Sequence, residues 1–71
     1  MKNNLRVERA ILRMTQQQLA EQIGVTRQTI NAIEGGKYVP STVLALKMSR
    51  VFKKTVNEFF ALEEADDSHA S

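Results

Sequence analysis

Seventy-one residues, 42% of them hydrophobic, allow one small domain, near the size at which a single core still folds unaided. There is no cysteine and His69 is the only histidine, so disulfides, thiolate metal sites and the usual nucleophile–base pairs are excluded and neither catalysis nor a cofactor is expected. Residues 1–60 hold ten Lys and Arg against Glu8, Glu21, Glu34 and Glu58, a basic surplus that suits a polyanion, while residues 61–71 hold Glu63, Glu64, Asp66 and Asp67 with no base.

Residues 2–5, KNNL, precede any helical pattern and suit an extended start. A helix is expected from about Arg6 to Arg13, but two rotations compete. Leu5, Arg9 and Leu12 share one side, whereas Val7, Ala10, Ile11 and Met14 make the cleaner i, i+3, i+4, i+7 stripe. Two apolar stripes exceed what one small core covers. Either this helix lies deep, or one stripe meets a second subunit; the second option is favoured, with Val7 and Ile11 as dimer contacts.

Residues 15–34, TQQQLAEQIGVTRQTINAIE, contain two short helical patterns that meet at Gly24. Thr15 with Gln18, and Thr26 with Thr29, place side-chain oxygens where they can accept from unpaired N–H groups in a first turn. Leu19, Ala20 and Ile23 line one face of the first helix, and Ile30 and Ile33 line one face of the second. Gly24 stands where a helix commonly ends in a left-handed residue, and small Ala20 lets a crossing backbone approach. The pattern is a helix-turn-helix.

With Ile30 and Ile33 inward, Gln28, Asn31 and Ala32 point outward, flanked by Arg27 and Thr29. Taken alone, such a face also fits an ordinary solvated helix. A merely soluble helix mixes acids and bases, however, and here the only acid is Glu34 at the far end. Gln and Asn pair bidentately with adenine, Arg pairs with guanine, and Ala or a Thr methyl can meet the thymine methyl. Joined to the turn before it, the face is expected to read duplex DNA.

Gly35 and Gly36 end this helix, and Lys37 to Pro40 form a loop. Lys37 suits a phosphate contact. Tyr38 offers either a hydroxyl to a phosphate or a ring to pack. Ser41 is a good N-cap for a helix from about Thr42 to Phe52, whose inward face is Ala45, Met48 and Phe52 with Leu44 and Val51. Thr55 caps a last short helix from Val56 to about Phe59, with Val56 and Phe59 or Phe60 closing the core. Phe59 to Leu62 is apolar and tolerates extended backbone, so it either pairs as a strand with residues 2–5 or meets a second subunit; Phe59 and Leu62 are therefore dimer candidates too. The expected division is a domain over 1–62 and an acidic, flexible tail over 63–71 whose end is disordered or solvated. No run has the apolar length of a membrane span and the start lacks a signal-peptide core, so a cytoplasmic location is expected.

The segment T-Q-x-x-L-A-x-x-x-G-V-T-R-Q-T-I-x-x-I-E-x-G-K-Y-x-P-S, followed by L-A-L-K, resembles the Cro/C1-type (XRE) helix-turn-helix regulators in their short single-domain form, over roughly Leu5 to Leu62. The resemblance implies an all-α, five-helix fold of the lambda-repressor type, to which some short members add a small antiparallel β pair from the chain ends. It implies a DNA-binding regulator, usually a repressor, that binds a pseudo-palindromic operator as a homodimer. Gln28 would be the principal base reader, with Arg27, Thr29, Asn31 and Ala32 around it. Gln16, Thr26, the Gly36 backbone, Lys37 and Tyr38 would hold phosphates, and Arg9 and Glu34 would form a structural ion pair. Four positions depart from the pattern. Glu8 replaces an apolar residue and leaves the rotation of the first helix open. Gly35 replaces a polar or basic residue, and Thr42 replaces an apolar one. Lys53 stands where glycine often ends the fourth helix, so a left-handed residue there would cost about 1 kcal/mol relative to glycine. The alternative from another class is an antitoxin-like or coactivator module that uses its apolar surfaces on a protein partner. With a single small domain expected, no small-molecule effector is expected.

Overall fold

The computed structural model describes residues 1–67. Strand β1 (Lys2–Asn3) leads into α1 (Leu5–Ile11), α2 (Gln16–Ile23), α3 (Arg27–Glu34) and α4 (Thr42–Phe52); a 3₁₀ turn (Val56–Glu58), strand β2 (Phe60–Ala61) and a final helical turn, α5 (Glu64–Asp67), follow. The strands pair antiparallel, Lys2 opposite Ala61 and Asn3 opposite Phe60. Of the two options left open for the apolar C-terminal segment, the chain uses the strand.

Local chemistry sets most of the helix ends. Thr15 and Gln18 form a reciprocal capping box, the Gln18 N–H donating to the Thr15 hydroxyl at 3.0 Å and the Thr15 N–H to the Gln18 amide oxygen at 2.8 Å. Thr26 and Ser41 accept from the N–H groups of Thr29 and Leu44, three residues on in each case. Gly24 ends α2 at φ +75°. At the end of α4, Lys53 adopts φ 56°, ψ 42°, so a side chain sits where the backbone favours glycine.

Leu5, Leu19, Ala20, Ile23, Ile30, Ile33 and Met48 are essentially fully buried, and Phe52, Phe59 and Phe60 close the far end of the core. Each large apolar side chain removed from water contributes about 1.5–3 kcal/mol. Phe59 meets Phe52 edge to face at a centroid separation of 5.1 Å. That placement corrects one expectation: Phe59 is 1% exposed and belongs to the core, so it is not available to a second subunit.

The rotation of α1, left open by the two competing stripes, is settled by the packing. Leu5 and Glu8 are the residues it buries, while Val7 and Ile11 of the cleaner stripe are 56% and 62% exposed. Lys54 Nζ lies 3.0 Å from Glu8 Oε1, so the carboxylate enters the core side with its counter-charge. The helix also ends earlier than expected, with Leu12 as its cap and Arg13 at φ 54°. The acidic segment starts at the chain-end sheet, where the amino terminus pairs with Glu63 at 3.0 Å and Asp66 at 3.1 Å. The remainder of that tail, including His69, lies outside the described residues.

Candidate nucleic-acid interface

Helix α3 lies against α2 through Ile30 and Ile33, both buried, and this orients the opposite face outward. Arg27, Gln28 and Asn31 are exposed there, and Thr29 and Ala32 are half-buried at its edges. Four hydrogen-bonding side chains and one methyl thus form a surface free of carboxylates. At its N-terminal edge the Thr26 and Thr29 hydroxyl oxygens are 3.0 Å apart, which ties the two side chains together.

Glu34, the last residue of α3, would spoil that surface were its charge free. It is not free. Its side chain is 2% exposed, and Arg9 reaches it from α1 with two parallel bonds, Nε to Oε2 at 2.6 Å and a second guanidinium nitrogen to Oε1 at 3.0 Å. Gln16, the first residue of α2, donates to the same Oε1 at 3.1 Å. Arg9 also donates to the Met14 carbonyl in the turn between α1 and α2, at 2.8 Å. One carboxylate therefore joins α1, the start of α2 and the end of α3. Burial pushes the Glu34 carboxyl up, but the hydrogen bonds from Arg9 and Gln16 and the charges of Arg9 and Arg6 outweigh it and hold the group below the ordinary glutamate value.

The phosphate candidates divide. At the start of α2 the capping box uses the Gln18 N–H, and the first N–H groups of any helix lack an acceptor within it, so this end is open to an anion beside Gln16. Thr26 occupies the equivalent place on α3, its hydroxyl accepting from the Thr29 N–H. Lys37 and Tyr38 are exposed in the loop after α3. The Gly36 backbone needs correction: its N–H donates to the Ile33 carbonyl at 3.0 Å, and the Lys37 N–H to Ala32 at 2.9 Å. Gly36 serves to close α3 at φ +75°, and the loop presents the Lys37 and Tyr38 side chains to solvent.

Two features escaped the sequence reading. The Glu8–Lys54 pair spans residues that no periodicity connects; an acid at an inward position of α1 was its only signal. Asn3 was missed too: its side-chain amide donates to the Ile33 carbonyl at 2.8 Å, tying β1 to the end of α3. Among the described residues no group of three His, Cys, Asp or Glu side chains could hold a metal ion, and no helix is long and apolar enough to cross a membrane.

Two short packed helices joined by a tight turn at Gly24, the second bearing an outward polar face, define a helix-turn-helix protein. A family model described as "Helix-turn-helix" matches residues 5–59. The chain is 48% identical over 64 residues to the uncharacterized HTH-type transcriptional regulator YgzD of Bacillus subtilis (strain 168), covering 90% of this chain and 97% of that protein. An uncharacterized HTH-type transcriptional regulator of Methanocaldococcus jannaschii is 47% identical over 64 residues, with the same two coverages of 90% and 97%. One from Archaeoglobus fulgidus is 41% identical over 66 residues, 93% of each chain. The chain belongs to the XRE-type helix-turn-helix family.

Proposed function

We propose that the protein is a sequence-specific, double-stranded DNA-binding transcriptional regulator that represses by occupying a near-palindromic operator as a homodimer. The observation that carries this reading is the surface of α3: Arg27, Gln28 and Asn31 stand exposed with no free carboxylate among them, because Glu34 is buried and paired. Gln28 is the principal base reader, and Arg27, Thr29, Asn31 and Ala32 complete the contact. Gln16, Thr26, Lys37 and Tyr38 meet phosphates and set the register of α3 in the major groove. Relatives named as transcriptional regulators across nearly their whole length support the same role.

The test is selection from random duplex DNA followed by footprinting. The expected result is a dyad whose half-sites lie about one helical turn, roughly 34 Å, apart. Absence of any preferred sequence at moderate salt would remove the reading. One observation favours a second function beside it: Val7, Ile11 and Leu62 are each more than half exposed, apolar side chains suited to a second copy or to another protein chain. Co-purification of a stoichiometric second protein from the native host would identify an antitoxin-like or coactivator role.

A further inference from the structure

Arg6 has no place in the motif, yet it stands over the end of the reading helix. Its Nε lies 3.7 Å from Glu34 Oε1, and its side chain is 80% exposed. At that distance the contact is an ion pair without a hydrogen bond. The oxygen it faces already accepts from Arg9 at 3.0 Å and from Gln16 at 3.1 Å. Glu34 carries one negative charge, and the bidentate Arg9 balances it. The charge on Arg6 is therefore surplus.

Two lysines are committed elsewhere. Lys54 is held by Glu8 at 3.0 Å, and Lys47 donates to the Ile23 carbonyl at 3.4 Å. With Arg6 itself exposed to solvent and its contact to Glu34 lacking a hydrogen bond, the guanidinium is held weakly, and exchanging Glu34 for another anion costs little. The position also matters. The end of a helix carries partial negative charge, and an acid there would add to it; both repel a phosphate. Arg9 cancels the acid, and Arg6 turns the local sign positive. Because Arg6 and Gln16 approach the same carboxylate oxygen, a phosphate met at the start of α2 would lie beside the Arg6 guanidinium.

We infer that Arg6 is a phosphate-binding residue supplied by α1 from outside the helix-turn-helix, its guanidinium passing from Glu34 to the DNA backbone as α3 docks. The inference rests on the DNA-reading function proposed above. Arg6 grips without reading sequence, so it adds affinity for any duplex and no preference among them.

The test compares wild type, Arg6→Gln and Arg6→Lys on a selected duplex and on a scrambled one across a salt series, with thermal midpoints measured on the same proteins. Each lost phosphate contact should lower the slope of log K against log salt by about 0.9 per protomer. Arg6→Gln is expected to show that loss on both duplexes with the preference between them and the midpoint unchanged, and Arg6→Lys to restore the slope. An Arg6→Gln slope equal to wild type overturns the inference. So does a lowered midpoint or an altered sequence preference, since either assigns Arg6 to holding α3 through Glu34. Wild type that binds neither duplex would overturn the DNA-reading function itself, an outcome distinct from a normal wild type with an unaffected variant.

Discussion

Two buried carboxylates pin α1 to the rest of the domain, and they are held in different ways. Glu34, beside the reading surface, receives a planar guanidinium edge-on from Arg9 and an amide from Gln16, so three helices converge on one group. Glu8, on the other side of α1, has the single ammonium of Lys54, which comes from the stretch after α4 and is itself 37% exposed. A forked, pre-organised donor fixes direction as well as distance, whereas an ammonium on a four-carbon stem fixes distance alone. The first arrangement holds α3 at an angle to its neighbours; the second keeps a charge satisfied at the back of the core. Position, more than stability, distinguishes them.

Arg9→Ala is expected to have the largest effect, about 3 kcal/mol of unfolding free energy, since it strands a buried carboxylate. Chemical denaturation should show the loss, and DNA affinity should fall with it. Lys54→Met should cost less, about 2 kcal/mol, because its partner is less deeply enclosed. Adding Glu8→Leu to it should recover the loss, since apolar replacement of a buried pair is neutral or stabilising. If Lys54→Met weakened DNA binding as much as Arg9→Ala at matched stability, the contrast between the two pairs would fail.

Gln28→Ala should leave the denaturation midpoint unchanged yet cost about 1–2 kcal/mol of binding at one or two base positions, relaxing preference there in a competition titration. Lys53→Gly should stabilise by about 1 kcal/mol by relieving the left-handed backbone at φ 56°. Acid sharpens the comparison last. Because the folded Glu34 carboxyl lies below its ordinary value of 4.5, its contribution is complete above that value and is lost as pH falls through the folded one. Denaturation midpoints measured downward from pH 5 should therefore drop more steeply for wild type than for a Glu34→Gln variant.

Much of the motif was legible because its signals are local. Thr15, Thr26 and Ser41 act on an N–H three residues away, and Gly24 ends a helix through its own φ angle. The outward set on α3 followed from Ile30 and Ile33 by period alone. Phe59 was harder. Placed at the boundary between a 3₁₀ turn and a strand, it has no periodicity to say which way it faces, and only packing against Phe52 settles that. The Gly36 phosphate contact came from the resemblance alone, and here the Ile33 carbonyl takes its N–H first.

The amino-acid sequence by itself determined where α2, α3 and α4 begin, how α2 ends, and which residues α3 turns away from the core. Those features depend on neighbours within one or two helical turns. Tertiary structure alone decided how α1 rotates. Periodicity left two stripes in competition, and Leu5 and Glu8 turned inward, with Arg9 reaching Glu34 across 25 residues and Lys54 reaching Glu8 across 46. Side chains that distant in the chain meet only after the fold has brought them together, and no local pattern records the meeting in advance.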